Sequence, residues 1–208
     1  MRMTRATATP CPRGAARRER PASSPLAAPE SAIVEYARTL ARHVDRTGSG
    51  PASWAYPTSA HLLLAEGRLF TPAPLSAATR RTPGWRCYRN AATVARRHGL
   101  LYAEGLAATR IAGTFWSFPH AWCVTPEGNA VDPTWESGHG LAYLGIALTD
   151  PAHWPTDQQG SLLEDHAHGT PLLRDGVPDD MTAPLGRPIP APRQGMRGAP
   201  LRTDGHCL

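Results

Sequence analysis

The chain has 208 residues, and all fourteen of its aromatic residues fall between Tyr36 and Trp154, which is material for one hydrophobic core and not two. The net charge of +5 resides wholly in residues 1 to 24, where six arginines face one acid; beyond them 16 arginines balance 16 acids. Lysine is absent and Ala, Gly and Pro abound, a codon-bias composition rather than a phosphate-binding one, and no apolar run approaches the roughly 18 residues of a membrane span, so neither nucleic acid nor membrane is an expected partner.

Residues 1 to 30 are rich in Arg, Pro, Ser and Ala without a periodic apolar face, which predicts a disordered basic leader. They lack the apolar stretch of a secretory signal. Four cysteines, Cys11, Cys87, Cys123 and Cys207, form no dense disulfide framework, so reduced thiols and a cytoplasmic location are expected. From Ser31 to Asp45 the residues Ile33, Tyr36, Ala37, Leu40, Ala41 and Val44 recur at helical spacing, and Gly48 to Pro51 ends the run. "SAHLLLAEG" predicts a second short helix capped by Gly67. "FTPAPLSAATRRTPGW" reads as a loop. "CYRNAATVARRHG" predicts a third helix starting at or near Cys87, with Tyr88, Ala91, Ala92, Val94 and Ala95 as its buried stripe and Gly99 as its stop. "LLYAEGLAA" reads as a strand, "TRIAGTFWSFP" as an irregular link, "HAWCVTPEGNAVDPTW" as a hairpin and "LAYLGIAL" as a further strand. From Thr149 onward sixteen of sixty residues are Gly or Pro and one is aromatic, which predicts a tail that lies on the domain without building it. The expectation is an α+β fold: a small antiparallel sheet packed against a few helices in a single domain, 31–154, with a Pro/Gly-rich tail at 155–208.

Three residues in this layout carry chemistry. Cys87 falls in the first turn of a predicted helix, where unpaired N–H groups and the positive dipole end stabilise a thiolate. His120 follows Pro119 and opens a strand; Asp132 precedes Pro133 and closes the next. Taken singly, each has an ordinary reading: a small buried hydrophobe, a polar strand end, an Asp-Pro turn. Geometry couples them. If Val124 pairs with Ala130 around a five-residue loop, Asp132 faces Trp122 and His120 lies one diagonal step away on the same side. A two-residue Glu127-Gly128 turn would put His120 and Asp132 on opposite faces. His120 and Cys123 are three apart on a strand and point to opposite faces, so a shared metal ion is not expected, nor any cofactor. His166 and His168 in "DHAH" are a weaker chelating pair in the predicted tail.

The order Cys, His, Asp, with the Cys at a helix start and its partners on adjacent strands, resembles the transglutaminase-like branch of the papain-like cysteine hydrolase superfamily. The segments that carry the likeness are "CYRNA", "LYAEGLA", "HAWC", "VDPTW" and "AYLGIAL", and "EGRLFTPAPL" belongs to the same pattern. They span about residues 60 to 148 and are also similar to small bacterial and phage proteins. The resemblance implies a papain-like core and thiol-dependent acyl chemistry on an unknown acyl or peptide substrate. Cys87 would be the nucleophile, His120 the base and later acid, and Asp132 the group orienting the imidazole. Asn90 and Glu104 are candidate supporting residues. The Cys87 N–H would be one oxyanion donor; the family's Gln before the Cys has no counterpart, since residues 1 to 86 contain no Gln. A catalytically inactive papain-like fold, serving as a binding or phage-accessory module, is the alternative.

Overall fold

The computed structural model describes residues 25–82, 84–156 and 160–191; the leader up to residue 24, the end of the predicted tail, Cys11 and Cys207 lie outside them. Four helices are described: α1 (Ala28–Thr47), α2 (Ser59–Ala65), α3 (Cys87–His98) and α4 (Gly169–Asp175). Six strands accompany them: β1 (Arg68–Ala73), β2 (Leu101–Ile111), β3 (Thr114–Val124), β4 (Asn129–Val131), β5 (Ala142–Leu148) and β6 (Arg187–Pro188). The class is α+β. Among the described residues no helix is long and apolar enough to cross a membrane.

The strands run in the order β4-β3-β2-β5-β1-β6, and β4 also pairs with β1. That last pairing is parallel, Thr71 with Asn129 through Ala73 with Val131, and every other pairing is antiparallel. Five strands therefore close into a small barrel, with β6 attached outside β1. Closure sorts side chains into two cores by strand alternation. The interior holds Phe70, Trp122 and Tyr143 among Ala103, Ala107, Ala130 and Ala147, large rings filling space left by small neighbours. Phe70 and Trp122 meet edge to face at 5.7 Å. Gly105 and Gly145 pair directly across β2 and β5, and a Cβ on Gly145 would run into the Trp122 ring and the Glu104 carbonyl. The outer face carries Tyr102, Leu106, Ala121, Cys123, Leu144, Ile146 and Leu148, which α1, α2 and α3 cover through Ile33, Val34, Leu62, Leu63, Ala91 and Ala95.

The sequence reading needs correction in four places. Helix α1 starts at Ala28, three residues inside the predicted leader, and the Glu30 carboxylate accepts the Ala27 N–H at 2.9 Å to close its first turn. Part of the Pro-rich "loop" is β1, which holds one proline, Pro72, and pairs with β5, β4 and β6. The "irregular link" is the far end of the β2–β3 hairpin, which continues in register to Ile111 and Thr114 around Ala112-Gly113. Most consequentially, the predicted tail builds the domain. Leu162, Leu163, Leu172 and Met181 enter the outer core beside Trp154, and α4 and β6 add to it. Few aromatics and many prolines hid a segment whose aliphatic residues are its buried contacts.

Candidate active site

The β3–β4 register decides the site. Val124 pairs with Ala130 and Cys123 with Val131, so the connection is the five-residue loop Thr125 to Asn129. Thr125 N–H donates to the Asn129 carbonyl at 3.0 Å. This parity puts His120, Trp122 and Asp132 on one side of the ribbon, and the His120 Nε2–Asp132 Oδ2 distance is 2.7 Å. Cys123 takes the opposite face, where its thiol donates to the Ala91 carbonyl at 3.3 Å and burial pushes its pKa up.

Asp132 is held from several directions. Its Oδ1 accepts the backbone N–H groups of Thr134 at 2.8 Å and Trp135 at 3.0 Å, an Asx turn that the following Pro133 favours. Its Oδ2 takes the Tyr143 hydroxyl at 3.0 Å as well as the imidazole. Burial alone would raise its pKa; the His120 hydrogen bond and charge and the two backbone donors outweigh that and hold it below the usual carboxylate range. The reverse holds at the ring. Burial disfavours imidazolium, but hydrogen bonds and charge from Asp132 and Cys87 overcome it and push the His120 pKa up to about 9. The ring also stacks on Trp135 with centroids 4.1 Å apart and planes 21° apart. Burial, and then the charge and hydrogen bond of the same carboxylate, push the Tyr143 pKa upward, so Tyr143 stays a donor.

Cys87 is the first residue of α3, which carries no side-chain cap. Strand β4 reaches only Cys123 and Val124 of β3, so beside His120 the sheet is open on that flank. The start of α3 is tied into this opening. Thr82 N–H donates to the Pro133 carbonyl at 2.7 Å, and Asn90 Nδ2 donates to the Thr82 carbonyl at 2.7 Å and to Thr134 Oγ1 at 3.2 Å. Cys87 is among the groups that push the His120 pKa up, after Asp132. Cys87 is 8% and His120 3% exposed, so the pair is shielded from bulk water. The His120–Asp132 end is tight, at 2.7 Å.

The structure joins His120 to Asp132 and ties the start of α3, through Asn90, to Thr82 and Thr134 beside the Asp132 turn. Glu104 is elsewhere. It pairs with Ala121 in the β2–β3 register, on the outer face, and is 2% exposed. There it accepts the Tyr102 hydroxyl at 2.6 Å, the Ser161 hydroxyl, and the N–H groups of Leu162 at 2.9 Å and Leu163 at 3.1 Å. Burial raises its pKa against the pull of all four donors. Its place is structural, clipping the chain near residue 161 to the barrel. In the "DHAH" segment His168 Nδ1 bonds Asp165 at 2.8 Å. Sequence reasoning did not assign Tyr143 or Trp135, although both lie in motifs it singled out. A strand tyrosine and a Trp after Asp-Pro-Thr look like core residues until closure brings them to the imidazole. A thiol, an imidazole and a carboxylate in one hydrogen-bonded row can generate a thiolate and return its proton to a leaving group. No protein-family profile, curated protein or solved structure matches the chain.

Proposed function

We propose that the protein is a thiol-dependent acyl hydrolase or acyl transferase with a Cys87-His120-Asp132 triad, related in its core to the transglutaminase-like branch of the papain-like superfamily. The observation that carries the reading is the 2.7 Å His120–Asp132 bond on a ring whose pKa Cys87 also raises.

The reaction runs in two halves. His120 takes the Cys87 proton, and the thiolate attacks the carbonyl carbon of an amide, ester or thioester, forming a C–S bond. The tetrahedral oxyanion is met by the Cys87 N–H, whose position at the start of α3 leaves it without an intrahelical acceptor. Collapse breaks the bond to the leaving group, which departs with the proton from His120. Water, activated by His120, then cleaves the thioester and the proton returns to Cys87; an acceptor amine or alcohol in place of water gives transfer. Asp132 keeps the ring oriented and stabilises the imidazolium throughout.

The test is a burst of p-nitrophenol from p-nitrophenyl acetate with an acetyl adduct mapped to Cys87, absent in Cys87→Ser and His120→Ala. In parallel, iodoacetamide at pH 6 should label Cys87 far faster than Cys123 or Cys207, and His120→Ala should erase the difference. Equal, slow labelling of all thiols with no adduct would leave a papain-like scaffold without catalysis, the binding-module reading.

A further inference from the structure

The long β2–β3 ribbon leaves one edge uncovered. Among the described residues β4 is the strand on the outer flank of β3, and it stops at Cys123. Thr114 to Ala121 therefore lie open, about 26 Å of edge at strand spacing. Thr125 N–H donates to the Asn129 carbonyl, so Thr125 turns its backbone groups toward that flank. The β2–β3 register runs unbroken, and antiparallel ladders alternate residue by residue. Phe115, Ser117, Pro119 and Ala121 thus turn outward too, while Trp116, Phe118 and His120 bond toward β2. Pro119, with no N–H to give, occupies one of the outward positions, where an edge tolerates it. The outward carbonyls and the N–H groups of Phe115, Ser117 and Ala121 present a template for a further strand.

Such edges are normally blunted by charge or distortion. From Phe115 to Phe118 this one is aromatic and uncharged. Trp116 is 51% and Phe118 38% exposed, and side-chain alternation sets both on the face that carries His120. Phe118 is two residues, about 7 Å of strand, from the imidazole-bearing position. The open edge is thus continuous with the candidate active site.

Charge narrows the occupant. Besides the His120 imidazole, Arg110 is the one cation between Gly105 and Pro126, and that stretch has no acid. Arg110 faces Phe115 across the ribbon, its guanidinium over the ring at 4.8 Å. A strand added to β3 would set one residue beside Phe115 in that same row, within a long side chain's reach of the guanidinium. A second copy fits badly. Two-fold pairing centred on Ser117, the middle of the edge, sets Phe115 of each copy against Pro119 of the other and loses an N–H bond at both ends.

We propose that this edge docks an extended polypeptide as an added strand, apolar at alternate positions against Trp116 and Phe118 and acidic in the Arg110 row, and that this polypeptide is the substrate. This rests on Cys87 being the nucleophile, and it narrows the substrate from any acyl compound to a peptide chain.

Docking is read by fluorescence anisotropy on full-chain Cys87→Ser, which needs no turnover. The probes are fluorescein-labelled Glu-Val-Thr-Val-Thr-Val and its reverse, Val-Thr-Val-Thr-Val-Glu, which cover parallel and antiparallel addition. One of them should bind saturably. Trp116→Thr and Phe118→Thr, both at exposed positions, should each weaken binding on the order of tenfold, and Arg110→Gln by roughly threefold. N-methylation distinguishes a paired strand from an adsorbed apolar chain: methylating the alternate residues whose N–H groups face β3 should abolish binding, and methylating the other set should leave it. Ser117→Pro removes an outward N–H and should abolish binding with the β2 ladder intact. If neither peptide binds, or both methylated sets bind alike, docking is overturned. A dimer in sedimentation that Ser117→Pro dissociates would also overturn it, assigning the edge to a second copy. The nucleophile is scored separately by iodoacetamide labelling of wild-type Cys87, which saturating peptide should slow. Selective labelling without peptide binding sinks the added strand and spares the enzyme. Peptide binding to a protein whose thiols label alike and slowly keeps the strand as a bound partner and overturns its role as substrate.

Discussion

Tyr143 and His120 share one oxygen. The Tyr143 hydroxyl and the His120 Nε2 both donate to Asp132 Oδ2, at 3.0 and 2.7 Å. Asp132 therefore holds the imidazole while itself being held from inside the barrel. Asp132→Asn keeps the shape but replaces an acceptor oxygen by a donor or leaves the ring to turn. Acylation of Cys87 should fall by about 10³–10⁴-fold, the loss seen when a triad carboxylate is neutralised. Burst kinetics with p-nitrophenyl acetate measure it, and a loss below tenfold would remove Asp132 from the mechanism.

Tyr143→Phe should do much less. Asp132 retains His120 and the N–H groups of Thr134 and Trp135, and the phenyl ring still fills the barrel beside Trp122. A single lost hydrogen bond to a charged group costs about 1.5–3 kcal/mol of stability. Without this donor the carboxylate becomes the stronger partner of the ring, so the basic limb of the Cys87 pH–rate profile should move upward. An unmoved profile with intact folding would make Tyr143 a packing residue only.

The raised His120 pKa also sets a pH dependence of stability. The folded value, about 9, lies above the ordinary 6.5. The stabilisation is therefore complete below about 6.5 and is lost as pH rises through 9, amounting at most to about 3 kcal/mol. Urea unfolding between pH 6 and 10 should show this decline in the wild type. In Asp132→Asn the largest raising influence on the ring is gone, so the decline should shift toward neutral pH. His120→Ala should lack it, and the same alkaline slope in that variant would assign it to another group.

Parts of the candidate site were legible in the sequence because they are local in character: a helix start at Cys87, an Asp-Pro after β4, and the five-residue loop that the shared side of His120 and Asp132 requires; His120, expected to open a strand, instead lies inside β3. Helix α3 could be read to its bounds from the Ala91, Ala92 and Ala95 stripe and from Gly99. Barrel closure was not legible. It depends on a three-residue strand, β4, meeting the Pro-interrupted β1, and neither segment has enough period to announce itself. The role of residues 161–163 was hidden for a related reason. Their partner is one buried carboxylate far away in sequence, and pairwise contacts of that kind leave no periodic trace.

That carboxylate gives a sharp test of structural against chemical roles. Glu104 receives two donors on each oxygen: Tyr102 and Leu162 on Oε2, Ser161 and Leu163 on Oε1. In Glu104→Gln the amide nitrogen must replace one of those oxygens. A hydroxyl can rotate to accept, but a backbone N–H cannot, so Leu162 or Leu163 is left unpaired in either orientation. The cost should be about 1–3 kcal/mol in urea unfolding, with the labelling selectivity of Cys87 over Cys123 retained. A selectivity collapse matching that of His120→Ala would move Glu104 into the catalytic machinery.

The far hairpin makes an independent claim on the fold. Ile111 pairs with Thr114, so Ala112 and Gly113 form a two-residue turn, and both have positive φ, 50° and 84°. Gly113 takes this conformation freely, whereas an L-residue without a compensating side-chain bond pays about 1–2 kcal/mol for it. Asn at the first position and Gly at the second is the preferred pair for such a turn, because it matches the strand twist. Ala112→Asn should therefore stabilise the domain by about 0.5–1 kcal/mol, raising its melting temperature by roughly 1–4 °C. The turn lies eight residues along the ribbon from His120, so Cys87 alkylation should not change. A lowered melting temperature would mean that β2 and β3 do not join through this tight turn, and the long ribbon that carries His120 would have to be redrawn.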